Sequence, residues 1–254
     1  MTIASNANES RQRGPDRATS IQTYARIAGV LCLISLVAGG FGEFYVPSKL
    51  IVSGDAATTA RNILASELLF RLGFAAYLIE AVCDIALALI FYVLLRPVHK
   101  NLALLAAFFG LVATATFAIA ELFYYFGASL ILRSPDYLKT LAPEHLNNLT
   151  LLFIKLSGTC GGIFLVFYGV ASIIRGYLIF QSGYLPKFLG VLLALAGLGF
   201  VIRNFALVLA PAYASGWLLL PVIFALLSLT LWLLVRGVDV PRWEEKVATR
   251  EEGV

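Results

Sequence analysis

The sequence predicts an all-α fold, a polytopic transmembrane bundle of six spans with both termini in the cytoplasm, and three observations carry it. Apolar residues make up 60% of the chain and charged residues only 13%, whereas an ordinary globular domain is about half apolar and about a quarter charged. The excess falls in long blocks, near residues 25–46, 68–95, 102–131, 148–181, 186–209 and 214–236. About 20 residues at 1.5 Å per residue cross the hydrocarbon, so each block is long enough. Finally, twelve of the 19 Lys and Arg residues fall at the proposed inner ends and loops and five at the outer ones. The positive-inside rule then puts both termini in the cytoplasm, as an even number of spans requires.

The elements follow in order. Residues 1–23 are polar and small, with Arg11, Arg13, Arg17 and Gly14-Pro15; they read as a disordered cytoplasmic tail, ahead of a membrane domain over 24–238. The first apolar run is too long for the core of a signal peptide, and Ala38-Gly39-Gly40-Phe41 offers no cleavage pattern, so it is read as an uncleaved span. In the first outer loop, Ser53-Gly54-Asp55 before an alanine-rich stretch predicts an N-capped helix. That helix leads to Glu67 and Arg71, paired at i,i+4 in the favourable order. The second outer loop is polar, and Pro143-Glu144 marks a helix start. The fourth block exceeds one crossing, and Arg175 with Gln181 places its last turns outside the membrane on the cytoplasmic side. Pro186 suits the start of the fifth helix. An uncharged outer connection puts Tyr213 and Trp217 at the interface, and Pro221 is a candidate kink in the sixth span. Residues 239–254 read as a charged cytoplasmic tail.

Charge within the apolar blocks is the informative feature. Glu43, Arg71, Glu80, Asp84, Glu121, Lys155 and Arg203 lie within or at the edge of the spans. Intramembrane charges cost several kcal/mol, of order ~3 each, so they face one another or a cavity. Helical spacing groups Tyr77 with Glu80 and Asp84, and Thr114 with Glu121 and Tyr125. Lys155 shares a heptad stripe with Gly162, Gly169 and Gly176, which points it into the bundle. Arg203 has Gly199 and Ala196 behind it. The expected site is a polar cavity with about as many acids as bases, opening outward. Its candidate ligand-binding residues are Glu43, Arg71, Tyr77, Glu80, Asp84, Glu121, Tyr125, Lys155 and Arg203.

Other chemistry is not indicated. The net charge of +4 is explained by topology rather than by nucleic acid. Cys32, Cys83 and Cys160 lie in apolar blocks without CxxC spacing. His99 and His145 belong to opposite loops, and there is no HExxH, GxSxG or phosphate-cradling glycine loop. No catalytic residue, metal site or cofactor is assigned. The expected partners are the bilayer and a small polar or amphiphilic ligand that the protein binds or passes. A structural, sensory or accessory subunit stapled by interhelical ion pairs is the alternative. An intramembrane enzyme using Glu80 and Asp84 as acid and base is a second.

Several stretches resemble a bacterial family of unknown function, DUF4386. They include Ile51-Val52, Gly54-Asp55-Ala56-Ala57, Asn62-Ile63, Glu67 and Leu69-Phe70-Arg71 in the first outer loop. Others are Asp84-Ile85-Ala86-Leu87-Ala88-Leu89, Arg96-Pro97-Val98, Leu102 to Phe108, Gly176-Tyr177-Leu178-Ile179 and Ser182-Gly183-Tyr184-Leu185-Pro186 with Leu189-Gly190. The resemblance covers roughly residues 24–236; the family's basic residue near Gly110 is missing here. It implies a small multi-pass protein of the bacterial cytoplasmic membrane and supplies no activity.

Overall fold

The computed structural model describes the backbone of residues 2–133, 136–138 and 140–251, with side chains from residue 21 to 250 except at 126, 127, 130 and 137. Every regular element among them is helical. Six stretches are long and apolar enough to cross a membrane: Ile21–Leu50, Glu67–Leu95, Lys100–Tyr125, Pro143–Ser182, Lys187–Leu209 and Gly216–Val235. Large apolar side chains such as Val37, Leu68, Val82, Leu89 and Val208 point outward from them, which suits a lipid solvent and not water.

In chain order the helices are α1 (Thr2–Gly39), α2 (Val46–Leu50), α3 (Ala56–Ala65), α4 (Glu67–Leu95), α5 (Lys100–Glu121), α6 (Ala128–Leu132), α7 (Pro143–Ser182), α8 (Lys187–Leu209), α9 (Leu220–Val235) and α10 (Val240–Glu251). Two π-helical turns, Gly40–Tyr45 and Leu122–Gly127, interrupt the first and third spans. Helix α1 extends back over residues expected to form a disordered tail, but the side chains of 1–20 lie outside the described residues. Lys139 and Ser134-Pro135 lie outside them as well.

The chain forms two compact units. One comprises residues 34–85 and 110–168. Its core is aromatic and aliphatic, with Val46, Leu50, Ile63, Phe70, Tyr77, Phe117, Tyr124 and Phe164 buried together. The expected outer-loop helix is present as α3. Asp55 caps it, accepting from the Thr58 backbone N–H at 2.8 Å and the Thr58 hydroxyl at 2.7 Å. Those two donors hold the Asp55 carboxyl below the usual carboxylate range, the backbone N–H first. Helix α7 begins at Pro143, as the Pro143-Glu144 signal predicts, and runs 40 residues. That is roughly 60 Å, about twice the hydrocarbon thickness.

The other unit comprises residues 1–33, 86–109 and 169–254. Its core holds Ile21, Ala25, Leu94, Leu178, Ile179, Leu189, Leu233 and Trp243. Helices α7 and α8 meet here through glycine. A Cβ at Gly176 would lie 2.6 Å from the Gly190 carbonyl oxygen, and one at Gly169 would lie 2.8 Å from the Gly197 carbonyl oxygen. Helix α8 begins at Lys187 immediately after Pro186. One expectation changes. Pro221 sits in the first turn of α9, where the missing N–H is not needed, and starts the helix instead of kinking it. Arg175 is 6% exposed, with its guanidinium 5.4 Å from the Phe91 ring centre and its long stem covered by the apolar core.

The C-terminal segment is a docked helix. Trp243 of α10 is buried, and its indole N–H donates to the Leu94 carbonyl at 3.2 Å. The Tyr184 hydroxyl donates to the same oxygen at 2.6 Å; burial pushes that phenol up, so it stays a donor. Gln22 clamps the end of α9, donating to the Arg236 carbonyl at 2.9 Å and accepting from the Val238 N–H at 3.0 Å. Gly237 supplies the left-handed residue there, at φ +68°.

Two outcomes follow. Gly176→Ala should cost about 1–3 kcal/mol because the contact is backbone against backbone. Gly158→Ala and Gly161→Ala, where nothing lies within 4 Å, should stay within about 0.5 kcal/mol; thermal unfolding in detergent compares them. For Asp55, a lowered folded-state pKa means the cap is fully stabilising above the ordinary carboxylate value, about pH 4. It is lost as pH falls through the lowered value. Hydrogen exchange in α3, corrected for intrinsic rates, should therefore lose protection in that acidic window in the wild type and show no such step in Asp55→Asn.

Candidate functional site

The site is built on α4. Tyr77, Glu80 and Asp84 follow one another at i, i+3 and i+7, which places them on one face of a helix. That face meets the first span where its sequence is richest in glycine. A Cβ at Gly39 would lie 2.9 Å from both carboxylate oxygens of Glu80, and one at Gly42 would lie 3.3 Å from the Tyr77 ring. The absent side chains make room for the carboxylate and the ring. The Tyr77 hydroxyl donates to the Gly42 carbonyl at 2.8 Å. That carbonyl lies inside the π turn, where the regular helical ladder is interrupted and a side-chain donor can take its place. The Ser35 hydroxyl approaches Asp84 at 3.5 Å.

Helix α5 brings the third carboxylate. Glu121 is its last residue, 7% exposed, and the second π turn begins directly after it. Tyr124, in that turn, packs its ring 5.7 Å from Tyr77 and 5.0 Å from Phe70. Phe117 lies 5.6 Å from Tyr77 and 4.9 Å from Phe164. The carboxylates therefore sit beside an aromatic wall. Glu43, in the first π turn, is a charged neighbour of Glu80, Asp84 and Glu121. Its side chain is exposed.

Polar satisfaction is incomplete. Glu80 Oε2, Glu121 Oε2 and the Tyr124 hydroxyl are buried with no hydrogen-bond partner. Buried polar atoms are paired in the great majority of cases, so three orphans in one cluster mark a place where a partner belongs. The ion pairs among the described residues join Glu67 to Arg71 at 3.9 Å, Glu67 to Arg133, and Asp239 to Arg242. None of these involves Glu43, Glu80 or Glu121.

The expected nine residues thus separate. Glu43, Tyr77, Glu80, Asp84 and Glu121 come together. Arg71 forms the predicted pair with Glu67 and has Tyr125 as its other partner, on the exposed side, and Tyr125 stacks on Phe74 at 4.3 Å. Lys155 is exposed rather than turned into the bundle. Gly158 and Gly161 beside it have nothing within 4 Å of where a Cβ would lie, whereas Gly169 and Gly176 of the stripe pack closely. Arg203 belongs to the other unit, where its Nε is buried without a partner. The five residues that come together are four acids and one tyrosine. Reading the sequence missed Tyr124, Ser35, Gly39 and Gly42. Tyr124 stands three residues after Glu121, so its spacing was available, but an aromatic beside other aromatics reads as core.

Such a cluster accepts positive charge. Ionised carboxylates are acceptors only, the tyrosine hydroxyls can donate or accept, and the ring faces favour cations. Among the described residues no three His, Cys, Asp or Glu side chains assemble as metal ligands. Tyr77→Phe should cost about 1–3 kcal/mol in unfolding free energy, since it orphans a buried carbonyl. Tyr124→Phe removes a hydroxyl that has no partner and should stay within about 0.5 kcal/mol; chemical unfolding in mixed micelles distinguishes them.

Comparison with known proteins agrees with this picture of a membrane bundle. The chain is 26% identical over 156 residues to an uncharacterized protein of Archaeoglobus fulgidus, covering 61% of this chain and 78% of that one. No solved structure matches. The family described as "Domain of unknown function (DUF4386)" matches residues 27–237, and the chain belongs to that family.

Proposed function

We propose that this multi-pass membrane protein binds or passes a small polar or amphiphilic ligand that carries positive charge, held by Glu80, Glu121 and Glu43 against Tyr77 and Tyr124. Asp84 supports the set from one turn further along α4. In this reading the protein sits in a bacterial cytoplasmic membrane with both termini inside, and the site opens outward. One observation carries the ligand: Glu80 Oε2, Glu121 Oε2 and the Tyr124 hydroxyl are buried without a hydrogen-bond partner. A cationic ligand would supply the counter-charge that an ionised carboxylate needs in low dielectric. The aromatic wall gives an amphiphile its apolar contact, as ligand sites generally do. The two π turns fit as well, since such turns recur at functional sites.

The probe is tetraphenylphosphonium, an apolar cation, added to the full-length protein in nanodiscs. Equilibrium binding should be saturable and fall at least tenfold in Glu121→Gln and Glu80→Gln. The same variants should unfold at an unchanged or higher temperature, because they relieve buried unpaired charge. Loss of thermal stability with no change in binding would instead make the carboxylates structural, and absence of saturable binding in the wild type would remove the cation reading.

A further inference from the structure

The strongest feature outside the carboxylate cluster is the underside of α10. Arg242, Lys246 and Arg250 stand at i, i+4 and i+8, which makes them one stripe on the helix. They line a cavity of about 520 Å³ together with Glu245, Thr249 and the helix-end residues of α4 and α7. That size falls within the range of small-ligand sites. An adjoining cavity of about 420 Å³ shares Arg242 and adds Arg236.

The bases are held in place, and among the described residues only Arg242 is paired with an acid. Arg242 donates to the Gly183 carbonyl at 3.2 Å and pairs with Asp239 at 3.4 Å. Arg250 donates to the Arg96 carbonyl. Each guanidinium has five N–H groups in a fixed fork, so donors remain after these bonds. Lys246 and Arg250 take part in none of the ion pairs among the described residues. One acid, Glu245, faces three bases. Ordering the two arginines against backbone carbonyls meets in advance part of the conformational cost of binding.

Placement narrows the ligand. Helix α10 begins five residues after α9 ends at Val235. Trp243 bonds the carbonyl of Leu94, one residue before the end of α4, and Arg242 reaches Gly183, one residue after the end of α7. The basic stripe therefore lies level with the ends of three spans, where hydrocarbon gives way to headgroups. We infer that the cavity beneath α10 binds a phosphate-bearing anion through Arg242, Lys246 and Arg250, supplied either as the headgroup of an anionic phospholipid or as free phosphate. Forked guanidinium donors with a mobile ammonium between them suit a tetrahedral phosphate.

The test uses the full-length protein, reconstituted in nanodiscs of phosphatidylcholine with or without phosphatidylglycerol. Native mass spectrometry after transfer to neutral detergent counts the retained lipid. A second arm titrates inorganic phosphate into the detergent-purified protein by calorimetry. The expected result is retained phosphatidylglycerol that drops about fivefold in Lys246→Gln, the scale of one interfacial charge, and is kept in Lys246→Arg. Thermal unfolding should be unchanged, because Lys246 is in none of the ion pairs among the described residues. Heat with phosphate that Lys246→Gln abolishes, without lipid retention, assigns the same site to free phosphate. Neither signal, or either one unaltered by Lys246→Gln, overturns the inference. Glu121→Gln should leave both arms unchanged, which separates this site from the carboxylate cluster.

Discussion

Hydrocarbon offers no hydrogen bonds, and each place where a helix bends, breaks or ends leaves a carbonyl that something in the protein must satisfy. Much of the tertiary structure is an answer to that demand. The Gly42 carbonyl, inside a π turn, takes the Tyr77 hydroxyl. The Leu94 carbonyl, at the end of α4, takes both Tyr184 and Trp243, using both lone pairs. The Arg236 carbonyl takes Gln22, Gly237 takes the Trp232 indole, and Gly183 takes Arg242. Each of these bonds joins a helix terminus or irregularity to a residue distant along the chain or just past the turn. The amphipathic side chains involved, Tyr, Trp and Arg, bring an apolar body to the core and a donor to its edge.

The carboxylate cluster arises from the same physics with the opposite outcome. Glycines 39 and 42 let α4 approach closely enough to seat Glu80 and Tyr77, and the π turns interrupt the first and third spans at Glu43 and just after Glu121. Where the carbonyls are satisfied, Glu80, Glu121 and Tyr124 retain unpaired atoms. A fold that meets its backbone demands this thoroughly and leaves three side-chain groups open in one place has stored polarity there.

Packing within each unit depends on a different device. In one, rings of Phe70, Tyr77, Phe117, Tyr124 and Phe164 interlock at centroid separations near 5 Å, which gives large buried area with directional contacts. In the other, Gly169 and Gly176 of α7 meet Gly197 and Gly190 of α8 backbone to backbone. Without a hydrophobic driving force between helices in lipid, such close approach supplies the association energy through dispersion.

The sequence by itself determined the membrane class, the six spans, the capped helix after Asp55, the Glu67–Arg71 pair and the helix starts at Pro143 and Lys187. All of these follow from composition, from local periodicity or from residues within four positions of one another, and short-range physics does not wait for the fold. It also placed Tyr77, Glu80 and Asp84 on one face, since helical phase is local. Only the tertiary structure decided which faces meet. Lys155 shares a stripe with Gly169 and Gly176, which pack against α8, yet it is exposed. Arg175 carries a charge and is still buried, because Phe91 and the core cover its stem. The π turns have no sequence signature of their own, so the phase after residues 40 and 122 was not legible. The charged segment after residue 238 reads as a tail until Trp243 finds a carbonyl 149 residues earlier in the chain. A free carbonyl and its donor carry no mark of one another in sequence, and the pairing exists only once the helices are in place.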